Sequence, residues 1–220
     1  MNEDFAKKAE EWNRKGTTTI GIISSDGVVF AADKRATMGY FIANKDVPKI
    51  FQIDDTLAVT VAGSVGDAQT LVRLMKAEAQ LYKVRNGKNM SVNAAMTLLS
   101  NLMNQYKFFP FFVQLLIGGF DDRPRIYNVD PIGGATEEKF VSTGSGSPMA
   151  YGVLEDAFKE DRPIKENLRL ALRALSSALK RDCGSGDGID LVTITKAEFK
   201  RYTKDEIKRL MESKEKERAE

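Results

Sequence analysis

The sequence contains no histidine and only one cysteine in 220 residues. Without imidazole there is no Ser-His-Asp triad, no Cys-His pair and no histidine-based zinc site, and a single cysteine cannot replace those ligands. A hydrolase made from this chain must find its base in an amine or a carboxylate, and no metal is expected. Cys183 has no partner for an internal disulfide, so the frame of a small secreted domain is missing and a cytoplasmic location is expected. Residues 1–16 are rich in Lys and Glu with no apolar stretch, unlike a secretory signal. No later run reaches the roughly 20 apolar residues of a membrane helix, so no membrane is expected among the partners. Excess charge is lacking too. A formal net charge of +2 gives no field strong enough to imply nucleic acid. Internal repeats and low-complexity linkers are absent, which favours one domain over two at this length.

What is present is ordinary for a globular chain, with 42% hydrophobic and 29% charged residues. A weakly helical pattern over 1–15 is broken by Gly16, where a β-prone run begins. Residues 18–23 and 28–32, joined by Ser25, Asp26 and Gly27, predict a β-hairpin with Asp33 at the end of its second strand. Strands are expected at 49–53 and 57–62, separated by Asp54 and Asp55 and closed by Gly63. Ala68, Leu71, Val72, Met75 and Ala79 form one helical stripe; Val92, Ala95, Leu99, Leu102 and Tyr106 form another, with Ser91 as its N-cap. Strands return at 112–118, 125–129 and 139–143, and a helix is expected at 149–159. Leu168, Ala171, Leu172, Leu175 and Leu179 mark a further helix, and the glycine-rich loop 184–188 separates it from a strand at 189–195. Thr203 with Glu206 three residues on is a capping box for a charged terminal helix, 204–217. Blocks of strands and helices in this order predict an antiparallel α+β layer fold.

Three consecutive threonines are in general the start of a strand. A chain cut after Gly16, however, would give Thr17 a free α-amine with a reference pKa of about 7.7 to 8.0, a base beside a hydroxyl nucleophile. The surroundings then become specific. Lys15-Gly16-Thr17-Thr18-Thr19-Ile20-Gly21-Ile22, followed by Gly27-Val28-Val29-Phe30-Ala31-Ala32-Asp33-Lys34-Arg35-Ala36-Thr37, closely resembles the opening of proteasome β subunits, in particular archaeal ones. The resemblance continues through Lys49-Ile50, Val61-Ala62-Gly63-Ser64-Val65-Gly66-Asp67-Ala68, Gly144-Ser145-Gly146 and Asp182-Cys183-Gly184-Ser185-Gly186, and covers nearly all of the chain after Gly16.

The resemblance implies a four-layer αββα sandwich of two mainly antiparallel sheets, the N-terminal nucleophile hydrolase fold. It implies residues 1–16 as a propeptide removed by self-cleavage at Gly16-Thr17, and residues 17–220 as the catalytic domain. Thr17 would attack through its hydroxyl while its amine takes the proton. Lys49 would be the neighbouring cation that lowers the pKa of those groups, and Asp33 would hold Lys49 charged. Gly63 would offer a backbone N–H to the oxyanion, and Ser145, Asp182 and Ser185 would support the amine. Ala36, Val47, Val61 and Val65 would line the pocket for the residue before the cut. The implied partners are proteasome α subunits and other β subunits in stacked heptameric rings, a regulatory ATPase indirectly, and unfolded polypeptides as substrates, with no cofactor.

Taken singly, these residues have plainer roles. Asp33 and Lys49 read as a surface ion pair or as solvated strand ends, Gly63 as a turn, Ser145 and Ser185 as turn chemistry, Asp182 as a helix cap or a solvent-facing residue, and the four apolar residues as core. A non-catalytic ring subunit of the same fold is the main alternative. The simpler bacterial two-ring peptidase has a shorter chain and a different C-terminal region. A phosphate-binding reading fails because loops 144–147 and 184–188 lack the Gly-Lys-Ser/Thr ending of a P-loop and the dinucleotide fingerprint.

Overall fold

The computed structural model describes residues 16–217, with side chains through residue 212; the expected helical pattern over 1–15 lies outside the described residues. The first hairpin is β1 (Thr19–Ser24) and β2 (Gly27–Asp33), with Ser24 opposite Gly27 across the Ser25-Asp26 turn. Glycine is required at 27, because a Cβ there would overlap the Ile194 carbonyl oxygen of the adjoining strand. The chain continues through β3 (Ala36–Met38), β4 (Phe41–Asn44), β5 (Ile50–Asp54) and β6 (Leu57–Gly63). Helices α1 (Val65–Asn86) and α2 (Val92–Gln105) follow, then β7 (Val113–Phe120), β8 (Pro124–Val129), β9 (Ala135–Glu137) and β10 (Phe140–Thr143). The C-terminal part is α3 (Ser147–Ala157), α4 (Ile164–Arg181), β11 (Ile189–Ile194), β12 (Phe199–Arg201) and α5 (Lys204–Glu217).

Two five-stranded antiparallel sheets result, one in the order β10-β1-β2-β11-β12 and the other β5-β6-β7-β8-β9; β3 and β4 form a separate pair. The alternation of side chains along β2 explains how the layers stack. Val28, Phe30 and Ala32 belong to the core between the sheets with Leu116, Ile126 and Val192, whereas Val29 and Ala31 belong to the core under α3 and α4. A third core joins β6, β7 and β8 to α1 and α2. Three apolar layers separate four layers of structure, so the fold is the α+β αββα sandwich that the resemblance implies. β2 is buried on both faces and therefore reads in sequence as a continuous apolar run. Phe30 alone, fully buried, contributes roughly 1.5–3 kcal/mol by leaving water.

Local differences have local causes. The helix expected at 149–159 occupies Ser147–Ala157, because Pro148 sits in its first turn, where a missing N–H costs nothing. On α2 the buried stripe runs Val92, Ala95, Leu99 and Met103, while Tyr106 caps the helix and is exposed. The five-residue α1 stripe is buried as expected.

The antiparallel register brings distant segments to one end of the sandwich. Thr19, at the start of β1, faces both Ala32 near the end of β2 and Thr143 at the end of β10. Ile189, at the start of β11, faces Asp33. Gly63 closes β6 and Lys49 immediately precedes the antiparallel β5, so both lie at the same end of the second sheet.

Candidate active site

Asp33 anchors this end. Its carboxylate is fully buried and accepts four hydrogen bonds: Oδ1 from Thr18 N–H at 2.9 Å and Lys49 Nζ at 2.6 Å, Oδ2 from Arg35 N–H and Gly186 N–H at 3.0 Å each. The Lys49 side chain is only 7% exposed, so the pair is buried and not the surface pair the sequence also allowed. Burial pushes the Lys49 ammonium below its ordinary value, against the opposing pull of the Asp33 carboxylate.

Thr17 precedes β1 and is 5% exposed. Its hydroxyl donates to the Gly16 carbonyl oxygen at 2.7 Å, and its backbone N–H donates to Ser145 Oγ at 3.1 Å. Ser145 Oγ in turn lies 2.6 Å from Asp182 Oδ2. A hydroxyl has one proton, and the short contact to a carboxylate is the stronger claim on it, so Ser145 accepts from Thr17 and donates to Asp182. Ser185 Oγ also donates to Asp182 Oδ2 at 2.6 Å, which leaves it to accept from Thr18 Oγ1 at 2.7 Å. Two hydroxyls therefore connect the main chain at 17 and the side chain at 18 to one carboxylate. Asp182 is the C-cap residue of α4 by position, but its side chain serves this network and the Gly184 N–H.

Gly16, Thr17, Lys49 and Gly63 line one cavity of about 390 Å³. Ala36, Val47, Val61 and Val65 line it as well, beside Arg35, Thr37 and the first turn of α1. Gly63 has φ of 131°, a backbone conformation reserved for glycine, at the cavity edge. Gly144, at φ 90°, leaves room for the Thr17 carbonyl oxygen, which a Cβ would overlap. All the residues singled out from the sequence are thus assembled at this end: Thr17, Lys49, Gly63 and the four apolar residues around the cavity, Asp33 bonded to Lys49, and Ser145, Asp182 and Ser185 in the network that reaches the Thr17 nitrogen. Sequence reasoning gave no role to Arg35, Thr18 or Thr37, although Thr37 Oγ1 accepts the Gly16 N–H at 2.9 Å. Only position relative to Asp33 and Thr17 distinguishes them from other polar residues. Among the described residues, no group of three or more Asp, Glu or Cys side chains could hold a metal ion, and no helix is long and apolar enough to cross a membrane.

The sequence profile of the family described as proteasome subunit matches residues 13–194. The chain belongs to the proteasome subunit family. Proteins named proteasome subunit beta are similar over nearly their whole length. That of Methanosarcina mazei is 55% identical over 196 residues, covering 88% of this chain and 93% of its own. That of Archaeoglobus fulgidus is 55% identical over 204 residues, covering 92% and 96%, and that of Methanocaldococcus fervens 52% over 200 residues, covering 90% and 89%. Membership in the proteasome subunit family accounts for the four-layer fold and for the spacing of the motifs between Gly16 and Gly186.

Proposed function

We propose that this chain is a catalytic β subunit of a 20S-type proteasome, a threonine endopeptidase that hydrolyses unfolded polypeptides after removing residues 1–16. The observation that carries this reading is the position of Thr17, with its hydroxyl on the Gly16 carbonyl and its nitrogen on Ser145.

Self-cleavage follows from that position. The Thr17 hydroxyl adds to the Gly16 carbonyl carbon through a five-membered ring, and collapse of the adduct expels the Thr17 nitrogen, leaving Gly16 as an ester on Oγ1. Water then hydrolyses the ester, giving a Gly16 carboxylate and a free Thr17 amine and hydroxyl. Before the cut the Thr17 nitrogen is an amide and cannot be a base. After it, the amine accepts the hydroxyl proton as Oγ1 attacks a substrate carbonyl, and returns it to the leaving amine. Ser145, backed by Asp182 and Ser185, holds the amine; the Lys49 ammonium, held by Asp33, favours the deprotonated nucleophile; Gly63 N–H serves the oxyanion. The apolar pocket of Ala36, Val47, Val61 and Val65 selects a hydrophobic residue before the cut.

In this reading the chain works within stacked heptameric β rings closed by α rings, served indirectly by a regulatory ATPase in the cytoplasm. Similarity to archaeal proteins named proteasome subunit beta supports that assembly. The test is turnover of a fluorogenic hydrophobic peptide by the chain coexpressed with its α partner. Activity in the wild type and none in Thr17→Ala supports the proposal; an inactive wild type in a complete assembly makes the chain a structural ring subunit instead.

A further inference from the structure

The glycine-rich loop after α4 carries Asp182, which backs the Ser145 acceptor of the Thr17 nitrogen, and Ser185, which bonds Asp182 and Thr18, yet its own conformation is unfavourable. Asp187 has φ of 61°, in the left-handed region, and the next residue, Gly188, has φ of 135°. Such backbone persists only where surrounding contacts hold it.

One side chain supplies those contacts. Arg35, two residues beyond Asp33, donates through Nε to Asp187 Oδ2 at 2.6 Å and through Nη1 to the Cys183 carbonyl at 2.9 Å, so it grips both ends of the loop. Between them the guanidinium lies against Gly186, where a Cβ would overlap Nη2 and Cζ and stand 2.7 Å from Nε. The main chain adds to the grip: Gly186 N–H shares Asp33 Oδ2 with Arg35 N–H, and Lys34 N–H donates to the Gly186 carbonyl at 3.1 Å. The Arg35 hydrogen bond holds the Asp187 carboxyl below its ordinary value. A flat fork with separate donors can meet a carboxylate and a carbonyl while lying against glycine; a lysine ammonium cannot.

We propose that Arg35 is a positioning residue whose guanidinium staples the 182–188 loop to the end of β2 and thereby sets Ser185 and Asp182 relative to the Thr17 amine and the Asp33–Lys49 pair. The two halves of the site come from segments far apart in the chain, and the Arg35 guanidinium joins them through hydrogen bonds to Asp187 and the Cys183 carbonyl. This inference rests on the threonine-protease reading, since it assigns a consequence for turnover.

The test uses the full chain coexpressed with its α partner, in the wild type, Thr17→Ala, Arg35→Gln, Arg35→Lys, Asp187→Asn and the Arg35→Gln/Asp187→Asn double variant. Turnover, its pH profile and the thermal midpoint are read for each. Displacing a catalytic group by about 1 Å costs on the order of a hundredfold, so Arg35→Gln is expected to lower kcat about tenfold to a hundredfold with KM within about twofold. The acid limb of the pH profile shifts with it, because Ser145, which accepts from the Thr17 nitrogen, loses the Asp182 carboxylate that fixes its hydroxyl. Asp187→Asn falls in the same direction, the double variant is no worse than Arg35→Gln, and Arg35→Lys recovers part of the loss. Wild-type kcat and pH profile in Arg35→Gln overturn the proposal, as does a loss confined to KM or one that merely follows the fraction of folded protein. If Arg35→Gln fails to assemble, Asp187→Asn decides, and unchanged kcat there overturns it. An inactive wild type refutes the protease reading itself, whereas an active wild type with unaffected variants refutes only the staple.

Discussion

Gly16 and Gly184 lie backbone against backbone: a Cβ on Gly16 would overlap the Gly184 Cα, and a Cβ on Gly184 would overlap the Gly16 Cα. The residue before the proposed cut is therefore seated on the same loop that carries Asp182 and Ser185. No side chain fits on either glycine while the other stays in place.

Gly16→Ala is predicted to keep residues 1–16 attached, because the added methyl lifts the Gly16 carbonyl away from the Thr17 hydroxyl. A chain released directly at Thr17 from a removable fusion is unaffected, since Gly16 is then gone. Intact mass of the first and peptide turnover by the second check this, and normal processing of Gly16→Ala contradicts it.

Lys49→Met is predicted to abolish turnover and to destabilise the fold. Removing one partner of a buried pair leaves an uncompensated charge, here Asp33, at a cost of about 3–5 kcal/mol. Lys49 also has a pH signature. Its pKa in the folded chain lies below the ordinary lysine value because of burial. Between those two values the unfolded chain holds a proton that the folded chain has released, so the stability contributed by Lys49 rises with pH; below the lowered value the burial cost is present in full. Urea unfolding across the approach to about pH 10 should show this rise in the wild type and not in Lys49→Met. Parallel pH curves for the two would refute it.

Gly144→Ala combines a strained backbone with a collision. A φ of 90° disfavours alanine, and its Cβ would overlap the Thr17 carbonyl oxygen. The expected loss is about 1–3 kcal/mol from the backbone alone, with turnover falling further because Thr17 is displaced. Thermal unfolding together with kcat measures both, and an unaltered kcat argues against Thr17 being held from this side.

Val65→Glu is predicted to change selectivity without harming the fold. Val65 opens α1 and is 47% exposed, and an acidic side chain in a first helical turn is favourable. A carboxylate in the cavity should raise kcat/KM for peptides with a basic residue before the cut, relative to hydrophobic ones, by about tenfold. An unchanged ratio would place the specificity pocket elsewhere.

What could be read from the sequence was what is determined locally. Thr203 and Glu206 form the reciprocal capping box, with Thr203 N–H 2.8 Å from Glu206 Oε2 and Glu206 N–H 3.3 Å from Thr203 Oγ1, because both partners lie within one turn. The β1–β2 hairpin was legible from Asp26-Gly27 for the same reason. By contrast β9, Ala135–Glu137, is exposed along its length and has no apolar pattern, and β12, Phe199–Arg201, is defined by its pairing to β11. The β3–β4 pair lies mostly on the surface, where alternation signals little. The site divides along the same line. Ser145 meets a nitrogen 128 residues away and a carboxylate 37 residues away, contacts that only tertiary folding creates and that resemblance alone suggested. Arg35 stood within a matching motif but showed no role there, since its partners are 148 and 152 residues distant.

Thr17 is predicted to make itself the N-terminal residue. N-terminal sequencing of the wild-type chain coexpressed with its α partner, beside Thr17→Ala, decides this. Thr-Thr-Thr-Ile is expected at the start of the wild type and, in the variant, a chain left uncut after Gly16. A wild-type chain that keeps residues 1–16 yet hydrolyses peptides, or a Thr17→Ala chain cut at the same bond, would contradict it.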